Sequence, residues 1–290
     1  MPYLYLAIAV LFIASASVLG GFYNKRTKPC KDASSLYTLI ATITAFLFWA
    51  VLFLIERRVN VKVLWYSLMF GGCYAIINVS LINSLKHGSV GLTSLFLQLS
   101  LIGTTVWGFF FWNTPFTLFV LVGLVLVVLS VWLCLYEGKR ANNDKKITLK
   151  WIIFVALTFF SNAGCAIVQK TQQMAFNGEY GNFFMFGATG ISVIVCLVLY
   201  LRSDRGGDLA VLKKNAVLPI CAGVFNGLQN LLVIILASSI LSPSLIYPVL
   251  CVGGLIITTL SSFLVFKEKM KWWQWLGVLV GTCACGILSI

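Results

Sequence analysis

Negative charge is the scarcest feature of this sequence. Only eight Asp and Glu occur in 290 residues, against 21 Lys and Arg, and charged residues of both signs make up 10%, whereas soluble domains carry about 25%. A soluble globular fold is excluded, because it would have to cover its exterior with polar side chains. A single histidine, His87, and the lack of paired carboxylates remove the usual materials of acid–base and metal catalysis. A membrane-embedded enzyme is therefore disfavoured. No G-x-x-x-x-G-K-[ST] segment occurs, so no nucleotide cofactor is expected and ATP hydrolysis by this chain is excluded.

What is present is apolar: 60% of the residues are hydrophobic. A helix needs about 20 apolar residues to cross a bilayer core. Breaking the sequence at charges and at Asn, Pro and Gly clusters leaves runs of that length at Tyr3–Phe22, Ser35–Ile55, Leu64–Leu85, Ser89–Phe111, Phe116–Tyr136, Lys150–Lys170, Gly181–Leu201, Ala216–Ile240, Pro243–Phe266 and Trp272–Ile290. The expected fold class is an all-α integral membrane protein of ten transmembrane helices. The first run has no positive segment before it and is too long for a signal peptide, so it reads as a span.

Nine cysteines would suggest disulfides in a short secreted chain, yet Cys73, Cys134, Cys165, Cys196, Cys221, Cys251, Cys283 and Cys285 all fall inside apolar runs and read as small hydrophobes. Cys283-Ala-Cys285 lacks a second ligand pair, so no metal is expected. The net charge of +13 does not point to nucleic acid, because the bases sit in short connections rather than on a folded basic platform.

The longest polar interruption, Glu137 to Thr148, divides the runs five and five. The expected organisation is a first five-helix repeat over 1–136, a connecting loop over 137–149 and a second five-helix repeat over 150–290. An ungapped alignment places Phe111-Trp112-Asn113-Thr114-Pro115 on Val265-Phe266-Lys267-Glu268-Lys269, Gly123 on Gly277, and Ser89-Val90-Gly91-Leu92 on Pro243-Ser244-Leu245-Ile246. At the front of each half, Asn24-Lys25 matches Gln169-Lys170. An odd number of spans per copy inserts the second copy upside down, giving two inverted repeats, a design common among secondary transporters. All but four of the 21 bases fall after odd-numbered runs; Arg57, Arg58, Lys62 and Lys170 are the exceptions. The positive-inside rule then makes the richer face cytoplasmic and places both termini outside a plasma membrane.

All eight acids lie in connections or at run ends, so the midplane carboxylate usual in proton-coupled cation export is missing. Neutral polar residues remain inside: Asn78, Ser80 and Asn83; Thr93, Ser94, Gln98, Thr104 and Thr105; Asn162 and Gln169; Asn226, Gln229 and Asn230; and Tyr247, Thr258 and Thr259. Each could serve as a hydrogen-bonding tie between helices. Asn226, Gln229 and Asn230 share one helix face and read as cavity lining. Lys170 stands alone on the base-poor face; it could snorkel to the interface or contact an anion at a cavity mouth. The candidate substrate-binding residues are Asn78, Gln98, Asn162, Lys170, Asn226, Gln229, Asn230 and Tyr247. Gly223-xxx-Gly227 and Gly277-xxx-Gly281 suit close helix approach. Trp49, Trp65, Trp112, Trp272, Trp273 and Trp275 read as an interfacial belt.

The layout resembles the drug/metabolite transporter superfamily, in its ten-span type with two EamA-like repeats. The segment that carries this most specifically is Phe266-Lys267-Glu268-Lys269-Met270-Lys271-Trp272-Trp273-Gln274-Trp275-Leu276-Gly277, an acid in a tight hairpin followed by an aromatic-Gly start to the last helix. The first repeat departs from the pattern, with Thr114 where the acid is expected. The resemblance implies an alternating-access carrier with a cavity formed by the third, fourth, eighth and ninth spans, around which the first, second, sixth and seventh rock. It also implies cytoplasmic termini, opposite to the charge count. The expected function is secondary transport of a small polar metabolite, with an enzyme or a non-transporting accessory scaffold as the alternatives. The expected partners are that solute and the lipid bilayer, with a homodimer left open and nucleic acid excluded.

Overall fold

The computed structural model describes residues 2–26, 33–87, 90–114, 116–135, 149–202, 215–264 and 271–288. These form ten helices and no strand: α1 Pro2–Arg26, α2 Ala33–Glu56, α3 Val63–His87, α4 Val90–Phe111, α5 Leu118–Leu135, α6 Leu149–Ala175, α7 Gly181–Leu201, α8 Val217–Ala237, α9 Pro243–Leu264 and α10 Trp272–Leu288. Six of them, α1, α2, α3, α6, α7 and α8, are long and apolar enough to cross a membrane; α4, α5, α9 and α10 contain shorter apolar stretches. Large apolar side chains such as Trp65, Phe110 and Phe160 cover the outside. Backbone groups satisfied within each helix and an oily exterior are what a bilayer demands.

Four short connections, over 57–62, 112–117, 176–180 and 238–242, gather at one end of the bundle, here the first end. Arg58 reaches Glu179 at 3.6 Å, Asn182 Nδ2 donates to Glu56 Oε2 at 2.5 Å, and Gly178 abuts Ser238. Their backbones turn sharply: Arg57, Asn113, Asn177 and Tyr180 have positive φ. α6 stops in a Schellman-type turn, with Asn177 at φ 51° and Gly178 N–H donating to Gln173 O at 2.8 Å. The uncharged Asn113-Thr114-Pro115 break is as tight as expected, since Thr114 donates through Oγ1 to Gly108 O at 3.0 Å. The connections at the opposite, second end, including the expected loop over 137–149 up to residue 148 and the segment 266–270, lie outside the described residues.

Packing runs mainly between the first five helices and the last five. α1 packs on α8 and α3 on α6; α2 packs on α8 and α3 on α7; α4 packs on α6 and α1 on α9. α2–α7, α4–α9 and α5–α10 are further close pairs. Replacing each helix by the one five places away returns the pairs just named, though not weaker ones such as α5–α9 and α6–α8. The match extends to atoms. A Cβ on Gly71 of α3 would sit 2.8 Å from the carbonyl of Ala188 on α7, and one on Gly223 of α8 would sit 2.4 Å from the carbonyl of Ala41 on α2. Only glycine permits either approach.

Two expectations need correction. Trp49 is not part of an interfacial belt: it is fully buried with Val63, Phe184 and Met185, because α2 packs on α7 along that face. The sixth run does not end at Lys170 either. α6 continues to Ala175, since Lys and Gln are good helix formers and the charge is covered by a neighbouring helix rather than by water.

Candidate functional site

α6 is the longest helix described, and its C-terminal third presents Gln169, Lys170, Gln172 and Gln173, all buried. Spacings of three and four residues put Gln169, Gln172 and Gln173 on one side. Gln169 Nε2 donates to the Asn230 carbonyl on α8 at 3.4 Å. The ammonium of Lys170, 7% exposed, donates to the carbonyl of Ala237, the last residue of α8. Lys170 therefore does not snorkel; the helix end beside it offers an acceptor closer than any interface. Gln172 Nε2 donates to Glu179 O at 3.0 Å, and Gln173 Nε2 donates to Gln172 Oε1. This polar block seals the first end between α6, α8 and the α6–α7 turn.

Of the predicted site residues, Lys170 lies on α6, Tyr247 bonds to α6, and Asn230 meets it through its backbone carbonyl, with Asn226 bonded to Asn230. Asn230 Nδ2 donates back to the Asn226 carbonyl at 2.9 Å and to Asn226 Oδ1 at 3.2 Å. Gln229, half-buried one position before, makes no side-chain hydrogen bond among the described residues. Tyr247 is 1% exposed and donates to the Ala166 carbonyl at 3.3 Å, which makes it a strut between α9 and α6. Asn162 works on another face, tying α6 to α4 through Ser100 Oγ at 2.6 Å and Leu97 O at 3.3 Å; nearby, Thr158 donates to Ser80 Oγ at 2.9 Å. Asn78 and Gln98 lie on α3 and α4, and their side chains fall outside the described residues.

Two hydroxyls stand out. Thr42, Thr44, Thr158, Thr171 and Thr189 all turn back onto the carbonyl four residues earlier. Thr104 and Thr105 of α4, both fully buried, have no partner for Oγ1 among the described residues. Buried hydroxyls without a partner are uncommon in folded proteins.

A cavity of ≈ 330 Å³ lies between α1, α8 and α9, in the half of the bundle nearer the second end. Leu11, Ala14, Ser15, Val18, Leu19, Phe225, Ile257 and Ser261 line it. Phe12 stacks on Phe225 at 5.5 Å between ring centroids. The sequence reading missed this cavity because small and apolar residues make its wall. A second hollow, ≈ 490 Å³ and bounded by Leu99, Val125, Val128, Leu129 and Trp132, is apolar throughout and sits on the outer face of α4 and α5.

Among known proteins, the model of a family described as "Sugar transport protein" matches residues 21–289. No curated protein matches the chain. A solved structure described only as "Crystal structure of protein" superposes with a TM-score of 0.75 at 11% identity, covering 99% of this chain and 95% of that one. At that identity the likeness concerns the fold alone.

Proposed function

Because the chain belongs to the sugar transport protein family, a family of membrane transporters, we propose that it is a secondary carrier moving a monosaccharide-like polar solute by alternating access. In this reading all ten helices span the membrane. Residues 1–136 and 150–290 are inverted five-helix copies of the EamA-like, drug/metabolite transporter kind, joined by 137–149. The base-rich second end faces the cytoplasm of a plasma membrane, and both termini lie outside.

The carrying observation is the helix pairing: the strongest pairs repeat under a shift of five helices, while four weaker ones, α5–α9, α6–α8, α1–α2 and α3–α4, have no counterpart of comparable size among the described residues. α6 touches α8, whereas the equivalent pair, α1 and α3, makes no comparable contact among the described residues. Two copies in opposite states are what an inverted-repeat carrier presents when one end is shut and the other open. The cavity fits the same picture, since it lies toward the second end while the polar block seals the first. At ≈ 330 Å³ it falls at the low end of small-molecule sites, which run about 300–1,000 Å³.

The solute contacts we assign are Asn226, Gln229 and Asn230, which follow the cavity-lining Phe225 on α8 without lining the cavity themselves, with Asn78 on α3 and Gln98 on α4 as further candidates. A carboxamide both donates and accepts, so it pairs with either role of a sugar hydroxyl. The interior described contains no acid, which suits a neutral solute. Counterflow of labelled monosaccharides in proteoliposomes tests the proposal. Exchange that weakens about tenfold in Gln229→Ala, the scale of one lost polar contact, supports it. Exchange of other polar metabolites but no sugar overturns the substrate class, and no exchange of any solute overturns the carrier.

A further inference from the structure

We propose that Lys170 is a latch: its ammonium holds the first end shut by tying α6 to the C-terminal carbonyl of α8. This rests on the alternating-access reading above.

The last turn of α8 shows why a lysine is needed there. A helix ends with carbonyls that have no acceptor role inside it. Ile234 O receives Ser238 N–H at 3.2 Å, and Ile235 O receives Ser238 Oγ at 3.0 Å. Leu236 O receives Ser239 N–H at 3.0 Å and Ser239 Oγ at 2.6 Å. Local groups thus satisfy three carbonyls, and the fourth, that of Ala237, receives Lys170 from another helix. The end of α8 also carries roughly half a negative charge, which favours a cation over a neutral donor.

The strength of this contact suits a latch. An ion pair buried in the same place would hold tightly and separate at high cost. A lysine on a carbonyl is weaker. When the end opens, water can take over both the ammonium and the carbonyl, so the closed and open states stay close in energy.

The test uses the full chain with its cysteines replaced and Ala237→Cys added as a reporter, since Ala237 is 2% exposed at the latch itself. The purified protein is labelled with a bulky hydrophilic maleimide. Lys170→Met should speed labelling about tenfold, the size of losing one hydrogen bond to a charged group, and Lys170→Arg should leave it slow. A second reporter, the single Cys196 retained on α7, is 4% exposed and away from the latch; it should label at the parent rate in Lys170→Met, whereas a residue that merely supports folding would speed both reporters. Unchanged labelling at Ala237→Cys in Lys170→Met, or equal speeding at both reporters, overturns the latch. Should Lys170→Met fail to purify as a single species, Lys170→Gln decides, and labelling equal to the parent overturns it. Counterflow is read in parallel. Loss of exchange in the parent would sink the carrier reading without touching the labelling result, whereas normal exchange with unchanged labelling in Lys170→Met would sink only the latch.

Discussion

The junction of α6 with α3 and α4 and the junction of α1 with α8 and α9 are built from equivalent helices, yet one is filled and the other hollow. In the first, a Cβ on Gly103 of α4 would sit 3.6 to 3.7 Å from Ala163 and Phe159 of α6, and one on Gly164 would sit 3.2 Å from Cys73 Sγ of α3. In the second, the matching positions, Ile257 on α9, Val18 and Leu19 on α1 and Phe225 on α8, stand around the ≈ 330 Å³ cavity. The difference teaches that the fold tolerates two arrangements of the same three-helix unit. The residues differ with the arrangement: Gly103 and Gly164 of the filled junction stand where the hollow one has Ile257 and Leu19.

The largest expected effect comes from the pair of glycine contacts on which both arrangements depend. Gly71→Ala and Gly223→Ala should each destabilise the protein by about 1–3 kcal/mol, the cost of overpacking, because a Cβ would meet a backbone carbonyl at 2.8 and 2.4 Å. Gly72→Ala, with nothing within 4 Å, should stay within about 0.5 kcal/mol of the parent. Thermal unfolding in detergent measures all three, and a Gly72→Ala loss as large as the others would break the equivalence.

Next is the hollow junction itself. Ser15→Phe should fill the cavity and cut counterflow about tenfold, the scale of a few strained contacts, with the unfolding temperature unchanged. Unimpaired exchange would detach the cavity from transport. In the filled junction, Asn162→Ala removes the tie to Ser100 and should cost about 0.6–1.7 kcal/mol, the range found for hydrogen bonds between membrane helices. The smallest effect is expected at the first-end surface. Arg58→Ala breaks an ion pair whose side chains are 59% and 53% exposed, and solvent screening should keep the change in unfolding within the noise.

Much of the architecture was legible because a bilayer leaves few choices. Apolar runs of span length became helices within a few residues, and Gly223 marked a close approach before any neighbour was known. The site was harder to read. Asn230 meets α6 through its backbone carbonyl and Asn162 bonds to α4, and one Asn looks like another until its neighbour is placed. Lys170 was read as an end of a span because charge usually seeks water; the acceptor that holds it is a carbonyl on a helix 67 residues away in sequence, and no side chain announces a carbonyl. Trp49 misled for a similar reason: position near a run's end suggested the interface, while its helix face was already taken by α7.

The seam between α5 and α10 has a separate consequence. Ser130 Oγ donates to the Gly277 carbonyl at 2.7 Å, and Gly281 and Gly123 keep the two backbones close against Ser130 and Leu288. Each of these helices is the other's counterpart, so in the carrier proposed above an exchange of shapes between the copies carries this contact onto itself, as it does the α2–α7 and α4–α9 contacts. Such a seam would act as a bearing, while pairs that map onto a different pair, such as α1–α8 and α3–α6, take up the motion of two bodies that a single stretch of chain connects.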